Sequence, residues 1–380
     1  MKKYLLLILA SVLLYSFNTY AQKVVVCNQV GDFKEGLAPI QVGELWGFID
    51  LTGNKVIDTK YLNYDAPYFS EGLCSVKDPA VNKVGYIDKS GNKVIPFQYN
   101  RAMPFSEGIA LYSGSGLEKT NKNATAVGFI DTQGKIVTFN TKASINQSAW
   151  RLFKNKRMSY REDKSLQYGF LGTNGQPVIP PKYGESGSFS EGLAAVLSLE
   201  NNNKWGFIDT TGKVIIDFQY ANQPQDFSYQ RAFVRGADLK WGLIDATGKI
   251  LIGTVLDQAF PFAEGLAIVS ARDTKGTEYF KIIDTDAKSV KEFKQTGKEK
   301  DIIGFHSGFS EGLAIASQGY GNNQGFIDTK GKVAIDYKFT KLRPFSNGLA
   351  YAEKTDPKTF KTTKGFIDKK GKFVIAIEAQ

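Results

Sequence analysis

The chain has 380 residues, with 48 Lys and Arg against 38 Asp and Glu, which gives a net charge of +10. A single histidine and two cysteines exclude a His-rich zinc site, and they make any Ser–His–Asp or Cys–His pair depend on His306 alone. A positive charge of this size is compatible with polyanionic partners such as cell-wall polymers or acidic glycans, but it does not require them.

The N-terminal 21 residues have the layout of a secretory signal peptide. Lys2 and Lys3 precede an apolar run from Tyr4 to Tyr15, and cleavage is expected after Ala21. The apolar run is about a dozen residues long, which is shorter than the ~20 residues of a membrane-spanning helix. The sequence therefore predicts an exported chain, periplasmic or secreted, with no transmembrane segment after cleavage.

Two short motifs recur in order along the rest of the chain. The second motif, GFID with a glycine three residues after the Asp, has nine copies that lie 36 to 44 residues apart, and such a period is typical of stacked supersecondary units. The first motif, FSEGLA, is degraded at Phe227–Ala232, and no copy is recognisable near Trp150. Its good copies are Phe33–Ala38, Phe69–Cys74, Phe105–Ala110, Phe189–Ala194, Phe262–Ala267, Phe309–Ala314 and Phe345–Ala350. The spacing predicts a strand over residues 22–32 and then nine repeats, at about 33–68, 69–104, 105–143, 144–188, 189–226, 227–261, 262–308, 309–344 and 345–380.

Each repeat is predicted to be all-β, because β-branched and aromatic residues alternate with small or polar ones. Three strands fit one repeat, and a tight turn joins the second strand to the third. In Asp209–Lys213 the Asp carboxylate can accept the backbone N–H two residues on, and Gly212 suits a positive φ. The predicted structural turn residues are Asp50, Gly53, Asp88, Gly91, Asp131, Gly134, Asp209, Gly212, Asp245, Gly248, Asp328, Gly331, Asp368 and Gly371.

Stability must come from stacking, because one three-stranded unit cannot bury its own apolar face. Lys23–Gln29 imitates a third strand that has no first half, and the chain ends on the complete third strand Lys372–Ile377. The chain therefore has one more third strand than it has units. This count favours an open superhelical array, capped by residues 22–32. The alternative is a closed, propeller-like ring whose termini overlap.

The succession of WGFID-x-x-G-K-x-V-I and FSEGLA resembles the WG-repeat family of bacterial proteins, also called the KWG repeat, from about Val30 to Ile377. The Trp-Gly pair itself stands at Trp46, Trp205 and Trp241, and other residues replace the tryptophan in the remaining repeats. The resemblance implies an all-β scaffold in envelope or secreted proteins, without a defined biochemical activity.

No catalytic or cofactor site is predicted. The Glu of the first motif recurs from repeat to repeat, whereas a catalytic acid is needed once, so a structural role explains it better. One turn Asp in about forty residues offers too few oxygens for a Ca²⁺ site, and no metal is expected. Export and the dispersal of the lysines argue against nucleic-acid binding.

Cys27 and Cys74 allow one disulfide, but Cys74 stands where other copies have a small buried alanine, and the pairing stays open.

Two sets of residues are candidates for ligand binding. Trp46, Trp205 and Trp241 can either stack on a sugar ring or pack on an adjacent unit. The fourth repeat carries a basic run beside Trp150 that is either a polyanion-binding bulge or a solvated face, with Arg151, Lys154, Lys156, Arg157 and Arg161. The sequence as a whole indicates a non-enzymatic exported protein with an extended surface for an unknown protein or an envelope polysaccharide. A purely structural scaffold is the alternative, and a hydrolase of envelope polymers is a more distant one.

Overall fold

The computed structural model describes residues 23–63, 65–115, 125–139, 151–162, 164–298, 301–319 and 323–380. All the regular structure in these ranges is β-strand, as predicted. Within them, no helix is both long and apolar enough to cross a membrane. The predicted signal peptide and Trp150 lie outside the described residues.

The strands follow the repeats closely. In the first half of the chain they are β1 (Lys23–Val26), β2 (Gln29–Val30), β3 (Leu37–Val42), β4 (Leu45–Asp50), β5 (Lys55–Leu62), β6 (Leu73–Asp78), β7 (Lys83–Asp88), β8 (Lys93–Tyr99), β9 (Arg101–Ala102), β10 (Ile109–Ser115), β11 (Thr125–Asp131), β12 (Ile136–Phe139), β13 (Arg157–Arg161), β14 (Tyr168–Gly172), β15 (Pro177–Ser186), β16 (Leu193–Ser198), β17 (Lys204–Asp209) and β18 (Val214–Tyr220). In the second half they are β19 (Arg231–Arg235), β20 (Trp241–Asp245), β21 (Ile250–Leu256), β22 (Gln258–Ala259), β23 (Leu266–Arg272), β24 (Glu278–Asp284), β25 (Ser289–Lys294), β26 (Ile302–Phe305), β27 (Leu313–Gln318), β28 (Asn323–Asp328), β29 (Val333–Phe339), β30 (Lys341–Leu342), β31 (Ala350–Thr355), β32 (Thr362–Ile367) and β33 (Phe373–Glu378).

Each repeat forms an antiparallel triplet, and we number the triplets as units one to nine. In unit five, the first strand β16 pairs with the second strand β17, and β17 pairs with the third strand β18. The first strand is almost fully buried, whereas the third is exposed at alternate residues, because it lies at the edge of the sheet. Short strands such as β9 and β30 add a fourth strand beside the first one.

Aromatic rings hold neighbouring units together. The phenylalanine of a first motif packs against a second-strand ring of the preceding unit, as Phe189 does with Phe170 at 4.8 Å between ring centroids. Phe105 and Phe227 make the equivalent contacts with Tyr86 and Phe207. The repeat pattern predicts a shared core made of the Phe and Leu of the first motif and the Phe and Ile of the second. These residues are all buried: Phe105, Phe189, Leu193, Phe207, Ile208, Phe309, Leu313, Phe326 and Ile327.

The array closes into a ring, so the preferred prediction of an open superhelix is wrong and the propeller-like alternative is confirmed. Strand β1 pairs in parallel with β33, from Lys23 opposite Ile375 to Val26 opposite Glu378. Phe33 of unit one packs on Phe366 of unit nine at 4.8 Å, which repeats the contact between other neighbours. The extra strand therefore covers the edge of the last unit, because an exposed edge leaves unpaired N–H and C=O groups.

The fourth unit does contain the first motif, which corrects the prediction that it lacks one. Phe153–Met158, FKNKRM, occupies the position of FSEGLA, and Phe153 packs on Phe129 at 5.4 Å. Asn155 and Lys156 have φ of 50° and 60° in place of the usual Glu and Gly. Three of the five residues of the predicted basic run, Lys154, Lys156 and Arg157, thus belong to a variant copy of the motif.

Candidate ligand pocket and loop face

The alternation of strand direction gives the ring two different faces. The first motifs and the Asp turns lie at one face, which we call the anchor face. The connections between the first and second strands of each unit lie at the other face, which we call the loop face. In unit two, for example, Glu71 and Asp88 belong to the anchor face, and residues 79–82 belong to the loop face.

On the anchor face, each Glu-Gly pair forms a two-residue hairpin turn. Glu71 and Gly72 have φ of 55° and 79°, which are the two positive values that a type I′ turn needs. The Glu71 carboxylate then accepts the N–H of Gly108 in the next unit at 2.9 Å. Asn347 closes the circle, since its Oδ1 accepts the N–H of Gly36 at 2.6 Å. The structural role predicted for the motif glutamates agrees with these bonds.

Lysines from the neighbouring turns add to this circle. Lys89 lies 3.1 Å from the Glu35 carboxylate, and Lys369 makes the same contact with Glu311 at 3.2 Å. Partial burial raises the pKa of Glu35, but the bonds from Lys89 and from the Gly72 N–H outweigh it and lower the pKa below its ordinary value. The Glu35 carboxylate is therefore held ionised by groups that the fold itself supplies.

The Asp turns have the geometry that the sequence predicts. The Asp209 carboxylate accepts the N–H groups of Thr211 and Lys213 at 2.9 and 3.0 Å, and Gly212 has a φ of 92°. The Thr211 hydroxyl also donates to Asp209 at 2.7 Å, and these bonds together lower the pKa of that carboxyl. The same two N–H contacts recur at Asp50, Asp88, Asp131, Asp245, Asp328 and Asp368.

The loop face carries several exposed hydrophobic side chains, whereas Leu51 and Tyr229 are exposed on the anchor face. Its connections differ in length and sequence, and several expose a large apolar residue: Val81, Leu166, Leu199, Leu239 and Phe360. Phe360 is the most exposed of these, with 79% of its surface accessible. These side chains are distributed over units two, four, five, six and nine.

Three of these residues also have an unfavourable backbone conformation. Leu166, Leu239 and Phe360 have φ of 58°, 66° and 56°, a region in which bulky residues are rare. Each closes its loop by donating its N–H to a backbone carbonyl three or four residues earlier, at Glu162, Gly236 and Asp356 respectively. In unit seven, Gly276 occupies the corresponding position, where its N–H donates to the Asp273 carbonyl and its positive φ causes no strain. The loop itself therefore does not require a bulky residue.

The structure places the predicted tryptophans in the packing between units. Trp46 and Trp205 are only 3% and 4% exposed, and the Trp46 Nε1–H donates to the carbonyl of Asn63 at 3.3 Å. Trp241 is half-buried, and the Arg235 guanidinium lies 5.1 Å from its ring centre. The rings of Trp46 and Trp205 therefore have no free face for a sugar.

The basic residues of unit four do not converge on one site. The Arg157 side chain donates from Nε to the Thr210 carbonyl at 2.9 Å, and it thereby joins unit four to unit five. Arg151 and Lys154 are exposed. Burial raises the pKa of the Asp226 carboxyl, and the positive charges of these two residues oppose the shift.

A pocket lies between unit nine and unit one, and we call it the closure pocket. Its volume is about 210 Å³, and its lining combines two cations, two amides, a thiol and apolar groups. The lining residues are Cys27, Asn28, Gln29, Val30, Arg343, Tyr351, Lys364, Ile377 and Ala379. The sequence gives one indication of this pocket, because Lys364 stands where the repeat has its tryptophan.

The pocket occurs where the usual aromatic residue is missing. Residues at the tryptophan position pair with a third-strand residue, and seven described pairs contain at least one aromatic ring: Trp46–Tyr61, Val84–Tyr99, Tyr168–Tyr183, Trp205–Tyr220, Trp241–Leu256, Phe280–Phe293 and Gln324–Phe339. In unit nine the pair is Lys364 opposite Ile377, which has no ring. The space that a ring fills elsewhere stays open there.

Arg343 is fixed at the edge of this pocket. Its Nη1 donates to the Val30 carbonyl at 3.1 Å and to Asp32 at 3.0 Å, and its guanidinium lies 4.4 Å from the centre of the Tyr351 ring. Burial raises the pKa of Tyr351 to about 12, and the Tyr351 hydroxyl donates to Glu353 at 3.0 Å. These contacts preorganise one wall of the pocket.

The cysteines and the histidine supply no reactive group. Cys27 and Cys74 are free thiols in separate buried clusters, so they form no disulfide. Burial raises the pKa of Cys27 to about 11, which keeps this pocket-lining thiol protonated at neutral pH. His306 is exposed on a connecting segment. Among the described residues, no group of three or more His, Cys, Asp or Glu has the arrangement to hold a metal ion.

Comparisons with known proteins agree with this architecture. A family model described as "WG containing repeat" matches more than half of the chain, at residues 26–46, 46–78, 85–113, 168–202, 205–235, 241–273 and 325–356. No curated protein matches the chain. A crystal structure of a eukaryotic initiation factor shares 13% identity, covers 88% of this chain and 92% of its own, and superposes with a TM-score of 0.55, a likeness of fold alone. Looser overlays include the dihydro-heme d1 dehydrogenase NirN (12% identity, 93% and 75% coverage, TM-score 0.44) and AztD from Citrobacter koseri (13% identity, 92% and 96% coverage, TM-score 0.36).

Proposed function

The chain belongs to the family of proteins with WG-containing repeats, and from that premise we propose that it is an exported, non-enzymatic binding protein of the cell envelope. Its loop face is the recognition surface, and its partner is a protein. The ring-shaped repeat fold is suited to binding or scaffolding, because it holds many loops at fixed positions on one side.

The observation that carries this proposal is the set of exposed hydrophobic residues on the loop face. Phe360, Leu239 and Leu166 occupy turn positions that glycine or asparagine would fill without strain. Unfavourable backbone conformations are concentrated at functional sites, where the gain in function offsets the cost. A protein that lies across several of these loops would cover more than one of these apolar side chains at once.

A glycan partner is favoured less. That interpretation depends on tryptophan rings with a free face, and Trp46 and Trp205 are buried between units. A hydrolase is favoured least, because the recurring carboxylates are occupied by backbone N–H groups, such as those that bind Glu71 and Asp209. A scaffold without a recognition face remains the main alternative, and it gives no reason for the strained residues of the loop face.

Export and recognition are tested separately. The mass of the mature protein from a periplasmic or culture fraction should correspond to cleavage after Ala21, and an intact N-terminus would contradict export. For recognition, the immobilised protein is cross-linked in envelope extract and compared with the triple variant Leu166→Asn, Leu239→Asn, Phe360→Asn. The proposal expects a partner that the wild type retains and the triple variant loses, with no loss of thermal stability. Equal retention by both would favour a scaffold, and quenching of tryptophan fluorescence by envelope oligosaccharides would favour a glycan.

A further inference from the structure

The closure pocket has the shape and charge for a specific ligand group. We propose that it binds a planar aromatic group joined to a carboxylate, presented by a peptide segment of the protein partner. This inference rests on the proposed function and adds the chemistry that the partner brings. Tryptophan, tyrosine or phenylalanine beside an acidic residue, or at a C-terminus, has this chemistry.

The first argument is the correspondence between the pocket and a tryptophan side chain. Trp46 of unit one donates its Nε1–H to the carbonyl of Asn63, which stands six residues before Phe69 of the next first motif. Cys27 stands six residues before Phe33, and it lines the closure pocket together with Lys364. Because Lys364 has the repeat position of Trp46, the pocket corresponds to the space that the indole fills in unit one.

The second argument is size. The pocket has about 210 Å³, and an apolar cavity of roughly 150 Å³ is sufficient to bind benzene. Tyr351, Val30 and Ile377 supply apolar walls, and Ile377 is the register partner of Lys364. An aromatic ring in this space would restore the ring that seven other described pairs contain.

The third argument is charge. Arg343 and Lys364 line the pocket, and no Asp or Glu is among its lining residues. One Arg343 nitrogen is bound by Val30 and Asp32. Lys364 lies opposite Glu353 in the sheet, but the ion pair that Glu353 forms among the described residues is with Lys341. A ligand with a carboxylate near its ring would pair with the Lys364 ammonium through a charge-assisted hydrogen bond.

The location of the pocket points to a peptide. Lys364 lies in β32, three residues after the connection over residues 356–361 that exposes Phe360. A partner that touches the loop face can therefore reach the pocket with one side chain. Buried aromatic anchors in pockets commonly dominate the affinity of protein interfaces, and the surrounding contacts exclude water.

The test uses small probes on the full-length mature protein. Isothermal titration and saturation-transfer NMR are run with indole-3-acetate, with indole, and with glucuronate as a carboxylate without an aromatic ring. The wild type is compared with Lys364→Trp, which fills the pocket, and with Lys364→Met, which removes the charge and keeps an apolar stem of similar length. Lys330→Trp on the anchor face is the matched control, because Lys330 is exposed and distant in sequence from the pocket.

The proposal expects indole-3-acetate to bind the wild type and the control equally, and Lys364→Trp to weaken its binding at least tenfold. Lys364→Met should weaken the binding of indole-3-acetate about threefold, as for an exposed ion pair, and leave the binding of indole unchanged. Unchanged binding to Lys364→Trp would overturn the proposal. Binding of glucuronate as tight as that of indole-3-acetate would also overturn it, in favour of an acidic glycan.

Two further measurements keep the test decisive. If circular dichroism shows that Lys364→Trp does not fold, Lys364→Glu replaces it. The binding preference should then change from indole-3-acetate to the cationic tryptamine by at least tenfold.

Partner capture separates this inference from the proposed function. Loss of the partner by the triple loop-face variant but not by Lys364→Trp would remove the pocket and keep the binding function. Retention by both variants would remove both.

Discussion

The anchor face and the loop face are built from the same nine repeats, yet they use polar and apolar residues in opposite ways. On the anchor face the same residue types recur, and carboxylates such as Glu71 and Asp209 bind backbone N–H groups. On the loop face the connections vary, and side chains such as Leu239 and Phe360 are exposed. The repeated motif therefore satisfies the needs of the fold, and the residues that differ between repeats are available for recognition.

The two faces also differ in how they treat a positive φ. The anchor face mostly places Gly, or a Glu or Asn whose side chain bonds to the next unit, at such positions, with Lys156, Tyr229, Gln230 and Ala287 as the exceptions. The loop face places Leu166, Leu239 and Phe360 there, and none of these side chains can make a compensating hydrogen bond. Left-handed backbone costs an ordinary residue roughly 1–2 kcal/mol. The strained loop-face residues therefore lower the stability of the folded protein, whereas the hydrogen bonds of the anchor face raise it.

The largest expected effect comes from the same substitution on the two faces. Phe189→Ala removes a buried ring that packs on Phe170, and it should lower the free energy of unfolding by about 3–5 kcal/mol. Phe360→Ala removes an exposed ring and should change it by less than about 0.5 kcal/mol. Guanidinium unfolding followed by circular dichroism measures both. Similar losses for the two variants would contradict the division into a structural face and a recognition face.

Smaller effects are expected from the links between units. Glu71→Ala leaves the Gly108 N–H without its acceptor and should lower the free energy of unfolding by about 1 kcal/mol. Glu71→Gln keeps an acceptor oxygen at the same place, as Asn347 does in unit nine, and should retain most of the stability. Equal losses for alanine and glutamine would show that the carboxylate charge, and not the hydrogen bond, joins the units.

The anchor face should also make stability depend on pH. The pKa values of Glu35, Asp50, Asp88, Asp209 and Asp245 are lower in the folded protein than their ordinary values, because hydrogen bonds hold the ionised forms. A lowered folded pKa gives stability that is complete above the unfolded pKa, near 4, and is lost as the pH falls through the folded values. Melting temperature should therefore fall steadily below about pH 4.

A variant with the turn aspartates changed makes this prediction specific. Asp50→Asn, Asp88→Asn, Asp209→Asn and Asp245→Asn together preserve an acceptor oxygen in each turn but remove the titration. The melting temperature of this variant should depend less steeply on pH between 5 and 3 than that of the wild type. An unchanged slope would assign the acid sensitivity to other carboxylates.

The sequence predicts those parts of the fold that are local. The Asp209–Gly212 turn depends on four adjacent residues, so its motif is sufficient to identify it. Ring closure depends on a parallel pairing between Lys23–Val26 and Phe373–Glu378, residues about 350 positions apart, and the same count of strands fits an open array. The first motif of unit four was missed because only the phenylalanine of FSEGLA is kept in FKNKRM.

The candidate site shows the same limit. The replacement of tryptophan by Lys364 is visible in the sequence, but a pocket follows only if the residue opposite is also small enough. That residue is Ile377, and the register that brings the two together is a property of the folded sheet. In unit eight, Gln324 also replaces tryptophan, yet Phe339 opposite is buried and fills the space. Exposure of Leu239 and Phe360 could not be read from composition, because apolar residues in a β-rich chain are usually buried.

The smallest expected effect is a gain in stability on the loop face. Leu239→Asn places a residue that tolerates a positive φ where Leu239 has a φ of 66°, and it removes an exposed apolar side chain. The free energy of unfolding should rise by about 0.5–1 kcal/mol. Leu199→Asn is the matched control, because Leu199 is exposed on the same face but is not among the residues with a positive φ, so no gain is expected. Both variants are measured by guanidinium unfolding, and a gain that is equal in both would assign the effect to polarity instead of backbone strain. A gain confined to Leu239→Asn, together with weaker partner binding, would mean that this position is kept hydrophobic at a cost in stability that only recognition explains.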